Sequence, residues 1–158
     1  MKKLRAIDQN KIIKYWESVD NRGIHTELMG KYVMIWYEAQ ITLIDIPHIY
    51  IIFAADWQND YSLITNNDWR LNSVLENYRI GSPLNNQRIL EIFNRKSATE
   101  TKLILIAEDI ETGPFWIMEG NRRAIAFLDD NRLIGNLVYV GVSKRISHFG
   151  LCAPEFKD

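Results

Sequence analysis

An α/β chain with a mixed sheet and short helices is the architecture the sequence predicts, and three observations predict it. "KYVMIWYEAQ", "TKLILIAED", "FWIMEG" and "NLVYVGVS" are runs of β-branched, aromatic and aliphatic residues, with the length and composition of covered strands. Between them lie segments whose apolar residues recur at helical spacing. The 158 residues suit one compact domain with a core large enough to need no covalent staples.

The elements follow in order. In "DQNKIIKYWESV" the residues Ile12, Tyr15, Trp16 and Val19 fall at i, i+3, i+4 and i+7, which predicts a helix with one apolar face. Asp8 stands where an N-cap would. "NRG" breaks the pattern, and "KYVMIWYEAQ" reads as a strand covered on both faces. "ITLIDIPHIYIIFAAD" reads as one strand or two, with Pro47 marking an edge, a bulge or a turn because it has no N–H to give a ladder. "WQNDYSLITNNDWRLNS" holds a loop and the start of a helix whose apolar side is Leu71, Val74, Leu75 and Tyr78. "RIGSPLNN" is a breaker, and "NNQRILEIFNRK" a short helix with Ile89, Ile92 and Phe93 inward. Residues 102–118 form a hairpin that turns at Gly113-Pro114. "NRRAIAFL" is then a short helix, "NLVYVGVS" a closing strand, and the tail after it has no clear pattern.

Composition excludes several classes of function. A net charge of -1, from 19 basic and 20 acidic residues, exerts no bulk pull toward nucleic acid or anionic lipid. The longest apolar stretch, "IYIIFAA", is far short of a membrane span, and "MKKLRAIDQNK" lacks the apolar region of a secretory signal, so a cytoplasmic setting is expected. Cys152 has no second cysteine to pair with, which fits a reducing compartment. His25, His48 and His148 share no local motif, and no zinc spacing, phosphate loop or dinucleotide fingerprint is present. The tryptophans read as packing residues. Trp57 and Trp69, set among polar residues, are the two candidates for stacking on a base.

One stretch carries chemistry. In "IMEGNRRAIAFLDD" a strand runs into Glu119-Gly120 and a helix begins at Asn121, followed at once by Arg122 and Arg123. The first N–H groups of a helix lack internal partners, and the helix dipole adds partial positive charge there. An anion can occupy that end, and a glycine lets it approach the backbone. Two arginines in the first turn call for something negative, and arginine suits phosphate. A plainer reading has Asn121 capping the helix and the arginines pairing with Glu119, Asp129 or Asp130.

These residues resemble the Gly-x-Arg-Arg box of the ParB and sulfiredoxin-like superfamily. The box here is Gly120-Asn121-Arg122-Arg123, followed by Ala124 and Ala126. The order of helix "NNQRILEIF", strand "KLILIAED", turn, strand "FWIMEG", box helix and strand "LVYVGVS" fits as well, over roughly residues 85–142. The resemblance implies a single compact domain of that fold over residues 85–142, to which residues 1–80 add an N-terminal α+β extension that it does not cover. It implies that Gly120, Asn121, Arg122 and Arg123 bind nucleotide phosphates, and that the cofactor is a nucleoside triphosphate with Mg²⁺. Members of the superfamily hydrolyse CTP, activate a sulfinic acid with ATP, resemble small-molecule kinases or have been called nucleases. Asn121 stands where sulfiredoxin has its cysteine, so redox repair is not expected. No helix-turn-helix pattern follows the box, so chromosome partitioning is not expected either.

Phosphoryl transfer also needs a group to orient the nucleophile, and commonly a metal ligand. Glu119 beside the box, and Glu108 and Asp109 at the end of the neighbouring strand, are the candidates, provided that all three share one mouth. Arg88 is a further phosphate contact on the preceding helix. The expected function is therefore nucleotide-phosphate binding, in a phosphotransferase or nucleotide hydrolase. The alternatives are a non-catalytic regulatory or protein-interaction module and a ParB-like nuclease or DNA-binding domain. Expected partners are a nucleotide and a small molecule or protein. Neither a membrane nor, given the charge balance, nucleic acid is expected.

Overall fold

One mixed sheet of six strands organises the chain. The computed structural model describes residues 1–19, 23–52, 63–80 and 102–152. The strands are β1 (Lys2–Ile7), β2 (Ile35–Gln40), β3 (Ile49–Ile51), β4 (Leu103–Ala107), β5 (Phe115–Glu119) and β6 (Leu137–Val142), lying side by side in the order β1-β2-β6-β4-β5-β3. β4 pairs antiparallel with β5 and parallel with β6, and β2 pairs antiparallel with both β1 and β6. β3 runs parallel to β5 at one edge. The helices are α1 (Gln9–Val19), α2 (Ile24–Lys31), α3 (Leu71–Ile80) and α4 (Asn121–Asp129). The fold is thus α/β with a mixed sheet, and the expected hairpin over 102–118 is present as β4 and β5.

The sheet centre is dry. Every residue of β4 is fully buried, as the run "LILIA" predicts for a strand covered on both faces. α1 lies on the face that carries Trp36 and Tyr139. Its Trp16 meets Trp36 edge-on at 6.4 Å between ring centroids, and Tyr15 meets Tyr139 at 5.1 Å. Trp36 lies across Gly141 of β6, where a Cβ would come within 2.8 Å of the indole and 2.4 Å of Met34 Cε. Asp8 caps α1 as expected, its carboxylate accepting from the Asn10 N–H at 2.9 Å. The expected apolar side of α3 is also found, with Leu71, Val74 and Leu75 buried.

Four expectations change. "LIDIPH" is a 3-10 turn around Pro47, not strand, and among the described residues of that run the strand is Ile49–Ile51. Thr42 and Asp45 cause this: their side chains and backbone N–H groups form a capping box that starts the turn. "NLVYVGVS" forms the expected strand, β6, but it enters the sheet between β2 and β4 and not at an edge. β1 and α2 are not expected from the sequence, since "KKLRAI" is short and half cationic and "IHTELMGK" has little apolar periodicity. The first eighty residues contribute three of the six strands to the same sheet as the box. The expected helix "NNQRILEIFNRK" lies outside the described residues.

Candidate functional site

The box is built by a one-residue passage from β5 into α4. Gly120 makes it with φ of 93° and ψ of 24°, a left-handed conformation that glycine adopts without strain. Gly120 is itself the N-cap, and no side chain donates or accepts a capping bond there. Asn121 is therefore not the cap, contrary to expectation. It is the first helical residue, and its buried Oδ1 accepts from the N–H of Ile52 at 3.3 Å. The reason is steric: once glycine has absorbed the turn, the next side chain points into the fold, where it serves the backbone just beyond β3.

Arg123 folds back over the turn. A Cβ on Gly120 would lie 2.9 Å from Arg123 Nη2 and 2.5 Å from Leu103 Cδ2, so the glycine makes room for the guanidinium. Arg123 Nη2 faces Glu119 Oε1 at 3.3 Å, with both side chains only 15% exposed. Its Nε is buried with no hydrogen-bond partner among the described residues. Glu119 is thus one counter-charge that the plainer reading expected, found for Arg123. Arg122 is half-buried.

The expected carboxylates do not share one mouth. The pairing sets Ile104 opposite Glu119 and Ala107 opposite Phe115, so the end of β4 lies at the start of β5, not at its end. Glu108 and Asp109 therefore sit a strand's length from Glu119, about 13 Å at ~3.3 Å per residue. An antiparallel hairpin imposes this, because its strands exchange ends. Glu108 accepts from the Ser147 hydroxyl at 2.6 Å. Asp109 accepts the N–H groups of Thr112 at 2.9 Å and Glu111 at 2.7 Å, which together hold its carboxyl below the usual range. Both carboxylates are occupied in shaping loops. Trp69, a stacking candidate in the sequence, is fully buried and packs in the core. Arg88 and Trp57 lie outside the described residues. Among the described residues no group of three or more His, Cys, Asp or Glu side chains is placed to hold a metal ion.

The structure adds residues that the sequence did not single out. The pairing register runs Arg5, Glu38, Tyr139, Ile104 and Glu119 in one row across five strands. Glu38, buried in the row, accepts from Lys102 Nζ and from Arg5 Nε, the latter at 2.8 Å. The Lys102 bond, followed by the Arg5 bond, holds the Glu38 carboxyl below the glutamate range, against the effect of burial. Lys102 stands 4.6 Å over the Tyr139 ring. Burial disfavours its ammonium, but Glu38 and Tyr139 outweigh this and raise its pKa. The Tyr15 hydroxyl donates to the Lys102 carbonyl at 2.9 Å and feels the charges of Arg123 and Glu119. Burial pushes that phenol up, with Arg123 pulling the other way. Tyr15 thereby links the Lys102–Glu38–Arg5 network to the box. A signal for this existed: Glu38 is the one acid in "KYVMIWYEAQ", and an acid inside a covered strand requires a cation.

The site can therefore present cations at an uncapped helix start, with one carboxylate beside them. No protein-family model, no curated protein and no solved structure matches the chain.

Proposed function

We propose that the chain binds the phosphate groups of a nucleotide at the turn from β5 into α4. One observation carries the reading. The start of α4 has no side-chain cap, and the Arg123 guanidinium is folded over the Gly120 backbone at that end. Free helix N–H groups, the helix dipole and the guanidinium each favour an anion at that end. Glu119 holds Arg123 across 3.3 Å, a long contact that an incoming phosphate oxygen is well suited to displace. Arg123 is the main clamp, with Gly120 allowing close approach and Arg122 contributing positive charge. Asn121 contributes its backbone N–H, since its side-chain carbonyl is engaged by Ile52.

The ligand this reading favours is a nucleoside triphosphate with Mg²⁺, and the enzymatic form of the function is phosphotransfer or nucleotide hydrolysis. A non-catalytic nucleotide-binding module is the second reading. It is favoured by the distance of Glu108 and Asp109 from the box, which leaves Glu119, of the three expected carboxylates, beside the phosphate. The resemblance to the ParB and sulfiredoxin-like box supports nucleotide binding in either form.

A thermal-shift series with nucleoside mono-, di- and triphosphates, with and without Mg²⁺, tests it. A ligand at a hundred times its dissociation constant stabilises by about 2.7 kcal/mol. The response is expected to vanish in Arg123→Gln and to weaken in Arg122→Gln. Adjacent helix positions point about a hundred degrees apart, so one arginine must matter more. No response in the wild-type chain to any nucleotide overturns the reading. A nucleotide response without turnover selects the non-catalytic form.

A further inference from the structure

The two edges of the sheet are treated differently. At the β3 edge the chain covers itself: Tyr50 bridges to Arg70, and the Ile51 N–H donates to the Trp69 carbonyl at 3.0 Å. At the other edge β1 pairs with β2 on one side only, and no described residue pairs with its outer side. Lys2 to Ala6 are all exposed, and Ile7 is half-buried. An open edge offers a row of backbone donors and acceptors to any extended chain.

This edge is held in place without being covered by any described residue. The Met1 ammonium, buried, sits 2.6 Å from Asp45. Lys3 stands over the Tyr37 ring at 4.2 Å, and Arg5 is tied to Glu38 at 2.8 Å. Its charge is of one sign: Lys2, Lys3 and Arg5 are cations, and β1 contains no acid. A second copy of the chain pairing β1 to β1 would set these cations against one another, which destabilises a ladder. An extended segment rich in Asp or Glu would instead gain both backbone bonds and opposite charges. Apolar surface borders the edge: Leu4 is 45% exposed, and Ile35, beside the end of β1, is 58% exposed.

We propose that the outer side of β1 is a docking edge for an extended acidic segment of a partner protein, which adds to the sheet as a further strand. The surface is separate from the box and does not depend on nucleotide binding.

The test uses the full 158-residue chain and two capped synthetic peptides, one alternating Glu with Val and one alternating Lys with Val. Fluorescence anisotropy is expected to show the Glu peptide binding at least tenfold more tightly than the Lys peptide. Hydrogen exchange is expected to slow at β1 amides on its addition. Lys2→Glu combined with Lys3→Glu is expected to weaken binding at least tenfold, with the melt confirming that the variant folds. Arg5 is left intact because Glu38 needs it. A Glu peptide N-methylated on alternate backbone amides keeps its charge but cannot extend a ladder, and is expected not to bind. Equal binding of the Glu and Lys peptides, retained binding of the methylated peptide, protection away from β1, or no binding of the Glu peptide overturns the proposal. So does sedimentation showing that the chain pairs with itself through this edge.

Discussion

β4 and β1 belong to one sheet, separated by β6 and β2, yet nothing about their surroundings is alike. All five residues of β4 are buried and apolar, paired on both sides. β1 is paired on one side, largely exposed, and half of its residues are cations. β4 is extended because ladders on both sides satisfy the polar groups of its buried backbone. β1 is extended because β2 offers a ladder and because ion pairs fix it: Met1 to Asp45 ahead of it, and Arg5 to Glu38 along it. Strand formation thus has two sources in this molecule, apolar burial at the centre and polar fastening at the margin.

Asp45 is the sharpest way to break that fastening. It is buried, accepts from the Met1 ammonium, and also receives the Thr42 N–H and hydroxyl at 2.7 and 2.6 Å. Asp45→Ala leaves an ammonium unpaired in the interior and removes the capping box. A loss of about 3–5 kcal/mol is expected from denaturant melts. At the centre, Leu105→Ala removes a fully buried side chain of β4 and is expected to cost about 2–5 kcal/mol. If Asp45→Ala costs less than about 1 kcal/mol while Leu105→Ala costs its full share, the margin is not held by its ion pairs.

Glu38 joins the two regions, with Arg5 of β1 on one oxygen and Lys102, just before β4, on the other. Glu38→Gln is expected to cost about 1–3 kcal/mol at neutral pH. The folded-state carboxyl is held below its ordinary value, so its stabilisation is present above the ordinary glutamate range and lost as pH falls through the lowered value. Melts at descending pH should therefore bring wild type and variant together in acid. A gap that persists at low pH would mean that shape, not charge, is what Glu38 supplies. The smallest effect is expected at Leu4, exposed on the β1 bulge, where Leu4→Ser should change stability by less than about 0.5 kcal/mol.

The same contrast explains what could be read in advance. "TKLILIAED", "FWIMEG" and "NRRAIAFL" form the elements expected of them, because a buried strand and an amphipathic helix write their surroundings into their own composition. "KKLRAI" gives little signal because an exposed margin strand carries no burial pattern, and "LIDIPH" forms a 3-10 turn because its Thr42–Asp45 box outweighs an apolar composition that looks extended. At the box, Gly120 and the helix behind it were legible from local rules. The direction of Asn121 was not, since Ile52 arrives from elsewhere in the sheet.

By itself, the sequence determined the α/β class, the β4–β5 hairpin, the glycine turn into α4 and the position of two arginines beside it. Those follow from interactions within about a dozen residues, and local chemistry decides them. Only the tertiary structure decided that β6 lies between β2 and β4, that Glu108 and Asp109 lie a strand's length from the box, and that Tyr15, Glu38, Lys102 and Tyr139 gather near it. Those contacts join residues such as Tyr15 and Lys102, 87 positions apart. Strand order and register set them, and no local pattern in the chain encodes either.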